Sequence, residues 1–91
     1  MRFIIKKHDS RMTEKTIFDK RYIGIISVLI KARHRNKWSQ RELAKRFGVN
    51  HNFIARVEMR ERRLDLIEVI DYMKALGLSR AEIIRRISEL I

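Results

Sequence analysis

The sequence predicts an all-α domain of five short helices behind an N-terminal arm. Three observations predict it. Proline is absent and glycine occurs three times in 91 residues, so the turn residues that normally bound strands are scarce. Apolar residues recur at helical spacing from residue 19 onward. Asp, Ser or Asn precedes each apolar run, several times with Glu three residues later, the pattern that starts helices. A hydrophobic fraction of 45% supplies a core for a chain of this length, which argues against wholesale disorder.

Residues 1–18 form a separate N-terminal arm or extension, with Phe3, Ile4 and Ile5 as a short apolar cluster. A flexible arm, a short strand and an upstream extension are all open there, and Met12 is an alternative candidate start. Residues 19–91 form the domain. Its first helix begins after Asp19 as N-cap, carries Tyr22, Ile23, Ile26, Leu29 and Ile30 on one face, and runs to about Arg35. Gly24 inside it costs about 1 kcal/mol relative to Ala, and close helix packing would explain it. Ser39 and Glu42 form a reciprocal capping box for the second helix, with Leu43, Ala44 and Phe47 inward and Gly48 as its stop. Asn50 caps the third, which turns Phe53, Ile54 and Val57 inward. Asp65 and Glu68 open a fourth, strongly buried helix of Leu66, Ile67, Val69, Ile70, Met73 and Leu76, ended by Gly77. Ser79 and Glu82 open the fifth, whose stripe is Ile83, Ile84, Ile87, Leu90 and Ile91.

Composition excludes several functions. There is no cysteine, so disulfides, thiolate metal sites and thiol nucleophiles are all absent. His8 and His34 have no ligand spacing around them and are expected at the surface, and no carboxylate–histidine arrangement suggests an enzyme or a metal. No apolar run reaches the roughly 18 residues of a membrane span, and no signal-peptide core is present, so a cytoplasmic, nucleoid-associated protein is expected. The net charge is +11. Residues 31–63 carry a net +8 and residues 64–91 a net −1. A charge segregated this way points to an anionic partner, nucleic acid before an anionic membrane.

The spacing around Gly48 is specific. Counting from Gln40, a small residue (Ala44) stands four on, Gly48 eight on, and the apolar Val49, Ile54 and Val57 nine, fourteen and seventeen on. Two helices crossing closely need the small residue. The tight turn needs positive φ, which Gly adopts without steric cost. The three apolar residues lock the second helix on the first. This is the helix-turn-helix arrangement, in which the second helix enters the major groove.

At this point the chain resembles a known family. The stretch Trp38-Ser39-Gln40-Arg41-Glu42-Leu43-Ala44-Lys45-Arg46-Phe47-Gly48-Val49-Asn50 is similar to the "LSQ-x-ELA-x-x-x-GV" core of lambda-repressor-like (Xre/Cro-type) DNA-binding domains. Val57-Glu58, Arg62-Arg63-Leu64-Asp65 and Lys74-Ala75-Leu76-Gly77-Leu78-Ser79 resemble the tail that follows it, so that the likeness covers about Arg21 to Ile91. The resemblance implies a five-helix lambda-repressor-like domain that binds double-stranded DNA without a cofactor. It places His51, Asn52 and Arg56 at base-reading positions, where Asn pairs with adenine and Arg with guanine. It places Gln40 at a phosphate, on a helix N-terminus that favours anions. Lys37, Arg41, Asn50, Arg60 and Arg62 join it as phosphate contacts, and Arg33 with Glu58 form a structural ion pair. Trp38 is implied as an apolar plug. The family often has Gly where this chain has Lys37 and Arg60, so either residue has positive φ or the loops differ in shape. Five large aliphatic residues exceed what the last short helix needs for its core, and a homodimer through Ile84, Ile87 and Ile91 is expected.

The leading function is a sequence-specific transcriptional regulator, a dimeric repressor reading a near-palindromic operator with the helix around 50–59. An antitoxin with a protein (toxin) partner, a restriction–modification controller and a non-specific nucleic-acid binder are the alternatives.

Overall fold

The computed structural model describes residues 17–91. All but the last two positions of the expected arm, and with them Phe3–Ile5, lie outside the described residues. Among the described residues there are five helices and no strand: α1 (Lys20–Arg35), α2 (Gln40–Phe47), α3 (His51–Glu58), α4 (Leu66–Ala75) and α5 (Arg80–Ser88).

Each helix starts on a side-chain cap, which satisfies an amide that has no partner within the helix. The Asp19 carboxylate accepts from the Arg21 amide at 2.8 Å, and the Arg21 guanidinium folds back onto it at 2.8 Å. Those bonds hold the Asp19 carboxyl down at about 2. Asn50 Oδ1 accepts from the Asn52 amide at 2.8 Å. Asp65 with Glu68 and Ser79 with Glu82 form complete capping boxes. The third expected box is only half made. Ser39 Oγ accepts from the Glu42 amide at 3.0 Å, but the Glu42 carboxylate turns away to Arg46, one helical turn on, at 2.8 Å. Here the charged partner at i+4 takes the carboxylate that the capping amide would otherwise receive.

The helix ends are more unusual. After α1, the Lys37 amide donates to the His34 carbonyl at 2.9 Å and the Trp38 amide to the Arg33 carbonyl at 3.2 Å. After α3, the Arg60 amide donates to Val57 at 3.0 Å and the Glu61 amide to Arg56 at 2.8 Å. After α4, Gly77 and Leu78 repeat the pattern on Lys74 and Met73. All three are Schellman terminators, which require one residue in the left-handed region. Gly77 supplies it at φ 87°, but the other two positions are Lys37 at φ 61° and Arg60 at φ 59°. Gly48, at φ 79°, ends α2 and makes the turn into α3. A side chain in this conformation costs about 1–2 kcal/mol, so the chain carries backbone strain at two loops where the family often has glycine.

The core is continuous. Ile25, Ile26, Leu29 and Ala32 of α1 meet Leu43 and Ala44 of α2, Ile54 and Val57 of α3, and Val69, Tyr72 and Met73 of α4. Leu64, Leu76, Leu78 and Ile83 close it. Ala44 is 3% exposed, where α2 packs against α3. The side-chain amide of Asn36 donates to the Leu76 carbonyl at 2.8 Å, tying the end of α1 to the end of α4.

Two expectations are corrected. Leu66 and Ile67 are exposed, at 60% and 64%, not buried. They occupy the first turn of α4, and the inward face only begins at Val69 and continues through Tyr72, Met73 and Leu76. Gly24 is also exposed, and a Cβ built there meets nothing within 4 Å among the described residues. Close packing among the described residues therefore does not explain it.

Two substitutions should stabilise the fold. Lys37→Gly relieves the left-handed backbone and Gly24→Ala restores helix propensity, each raising the unfolding free energy by up to about 1 kcal/mol. Urea unfolding followed by circular dichroism checks both.

Candidate nucleic-acid interface

The site is built around a buried charge. Arg33, near the end of α1, and Glu58, the last residue of α3, form a two-armed ion pair. Arg33 Nε donates to Glu58 Oε2 at 2.6 Å and Nη2 to Oε1 at 2.9 Å. Their side chains are 11% and 8% exposed. The remaining donors are also used. Arg33 Nη1 donates to the Trp38 carbonyl at 2.8 Å, and Nη2 lies 3.1 Å from His34 Nε2. Gln40 Nε2, at the start of α2, donates to Glu58 Oε1 at 2.9 Å. The Glu58 carboxylate thus joins α1, α2 and α3, and Arg33 adds the α1–α2 loop.

Gln40, expected at a phosphate, spends one N–H of its side-chain amide on Glu58. The second N–H of that amide is not used by the bond to Glu58 and, with the backbone amides of the helix start, can face an anion. Trp38 is half-buried against the core, with the Arg46 guanidinium 4.3 Å above its ring. It fills space before α2, as the resemblance implied, and the cation lies over its outer face.

Tyr72 was not anticipated. It is fully buried, and its hydroxyl has no hydrogen-bond partner among the described residues. Burial raises the hydroxyl above its ordinary pKa, with the charge of Glu58 adding to the effect and that of Arg33 opposing it. The ring itself packs edge-on to Phe47 at 5.2 Å. The sequence signal was present, since Tyr72 falls between Val69 and Met73 on the α4 core face, but its polar tip had no visible partner.

With Ile54 and Val57 at 0% exposure, α3 has a fixed inner face. Asn52, Arg56 and Met59 lie at i, i+4 and i+7 on the opposite side, and all three are exposed. His51 and Ala55 are half-buried beside them. Asn50 is exposed, but its side-chain oxygen serves as the cap of α3. Among the described residues, Lys37, Arg41, Lys45, Arg56 and Arg63 are exposed and make no ion pair. Arg60 and Arg62 are differently placed. Arg60 Nη1 donates to the Ile17 carbonyl at 3.0 Å, and Arg62 pairs with Glu68 at 2.9 Å. No group of three or more acidic or histidine side chains among the described residues is placed to hold a metal, and no described helix is long and apolar enough to cross a membrane.

A family model described as Helix-turn-helix matches residues 29–83. No curated protein matches the chain.

Removing one partner of the buried pair should be severe. Glu58→Ala leaves the Arg33 guanidinium buried and uncompensated, and thermal unfolding should show a loss of about 3–5 kcal/mol. Tyr72→Phe in the same region removes a hydroxyl with no partner among the described residues. It should leave stability unchanged or raise it.

Proposed function

Because the chain belongs to the lambda-repressor-like, Xre-type helix-turn-helix family and is a DNA-binding transcriptional regulator, we propose that it is a dimeric repressor that reads a near-palindromic operator with α3. One observation carries this reading. The face of α3 opposite its buried Ile54 and Val57 presents Asn52 and Arg56 to solvent, one helical turn apart.

The geometry divides the labour. Asn52 suits a two-bonded contact to adenine, and Arg56 to O6 and N7 of guanine. His51, half-buried at the helix start, adds a contact from the flank. Lys37, Arg41 and the amides beginning α2 and α3 suit phosphates, which set register without reading sequence. Gln40 and Asn50 fix those helix starts and keep side-chain N–H groups that suit phosphates as well. Arg60 sits in the α3–α4 loop and adds positive field to it.

The dimer rests on the last helix. Ile84 is 57% exposed and Ile91 fully so, while Ile87 is half-buried against the core. This face belongs to the third of the chain with a net charge of −1, where two strongly basic copies repel least. Two recognition helices related by a two-fold axis would fall about 34 Å apart, one turn of DNA. Sedimentation as a monomer at high micromolar concentration would contradict the arrangement.

Selection of bound sites from random DNA at near-physiological salt tests the reading. It should return two related half-sites about one helical turn apart. Against that operator, Arg56→Ala should lose about 1–3 kcal/mol of discrimination at one base step per half-site. Arg41→Ala should weaken operator and random DNA alike and lower the salt slope by about 1.

A further inference from the structure

We propose that Arg62 is a positioning residue that sets the rotation of α3, and through it the base choice of Asn52, rather than a phosphate contact. The proposal rests on the base-reading role of α3 given above.

The Arg62 side chain is 41% exposed, but its guanidinium is held against the protein on three sides. It lies 4.7 Å from the centroid of the Phe53 ring. Its Nη1 donates to the Arg63 carbonyl at 2.6 Å and its Nη2 to Glu68 Oε2 at 2.9 Å. The acceptor is itself fixed, because Glu68 Oε1 takes the Asp65 amide at 3.0 Å and the Glu68 amide donates to Asp65 at 2.7 Å. The capping box that starts α4 is therefore the anvil on which Arg62 is held.

What Arg62 holds down is Phe53. That residue follows Asn52 directly, and its ring meets Phe47 of α2 edge-to-face at 6.2 Å. Phe53 is thus held between an aromatic ring of α2 and a cation anchored on α4. Successive residues of a helix are about 100° apart, so a small rotation of Phe53 about the helix axis swings Asn52 across the groove floor. The Arg33–Glu58 pair fixes the last residue of α3, and the Arg62–Phe53 stack fixes its first turn. Two anchors five residues apart define both tilt and rotation. An arginine suits the second anchor because its planar group stacks on a ring and grips a carboxylate at once, which a lysine ammonium cannot do.

The test compares wild type, Arg62→Met, Arg62→Lys and Glu68→Gln on the selected operator, on operators altered at single base steps, and on random DNA, at two salt concentrations. Thermal unfolding is recorded alongside. Arg62→Met should lower the preference for the correct base at the Asn52 step by about tenfold, with the salt slope unchanged. Arg62→Lys should not restore it. Glu68→Gln, which alters no cation, should shift the same preference in the same direction. A uniform loss on all DNA with a reduced salt slope, rescued by Arg62→Lys, would make Arg62 a phosphate contact and overturn the proposal. Lowered thermal stability with the base preference intact at Arg62→Met and Glu68→Gln would overturn it as well. Equal wild-type affinity for all sequences would instead remove the base-reading premise, and is distinguished by appearing in the unaltered protein.

Discussion

The arrangement of the recognition surface depends on one buried ion pair. Taking a guanidinium and a carboxylate out of water costs several kcal/mol per ion, repaid only when geometry is good and the leftover donors and acceptors are filled. Arg33 and Glu58 meet that condition, since Glu58 takes two bonds from Arg33 and one from Gln40, while Arg33 also reaches the Trp38 carbonyl. A pair of leucines could fill the same volume. It would not specify direction, because dispersion contacts tolerate rotation and a forked ion pair does not. The pair sits where direction matters, at the end of the helix whose outer face is proposed to meet base edges.

The same region tolerates local costs. Lys37 and Arg60 adopt left-handed backbone that glycine would adopt freely. Tyr72 buries a hydroxyl that has no partner among the described residues. Strain and unsatisfied groups collect where structure serves something besides stability. At Lys37 the compensation is visible, since the residue is exposed beside the start of α2 and adds a cation there. At Arg60 the side chain turns back to the Ile17 carbonyl, linking the end of the recognition helix to the chain before α1.

Local chemistry was legible in the sequence, and competition between partners was not. Asp19, Asn50, Asp65 with Glu68, and Ser79 with Glu82 are caps because their partners lie two or three residues away, and sequence spacing settles such contacts. Gly48 and Gly77 follow from the same locality. Glu42 had two local partners, the Ser39 amide and Arg46, and spacing does not rank them. Leu66 and Ile67 look buried because periodicity counts apolar residues without marking where the inward face begins. The stack of Arg62 on Phe53 is nine residues apart in sequence and depends on how the α3–α4 loop folds back, which no spacing rule encodes. In the same way the pairing of Arg62 with Glu68 was not legible in sequence, where Arg62 reads simply as a loop cation.

That last distinction changes how the charge should be counted. Residues 31–63 carry eleven basic side chains, and a charge tally treats them as one field. The structure separates them. Arg33, Arg46 and Arg62 are paired with carboxylates, and Arg60 is bonded to a backbone carbonyl. Each of the three paired arginines cancels its own charge within a few ångströms and does so to fix a helix or a ring. Within that stretch, the exposed cations without a carboxylate partner among the described residues are Lys37, Arg41, Lys45, Arg56 and Arg63 around α2 and α3, with Lys31 and Arg35 on α1. Counterion release follows the phosphates a protein neutralises rather than its net charge. On the proposed reading, the attraction to DNA comes mainly from the outward set, while the paired arginines have a carboxylate beside them to neutralise first.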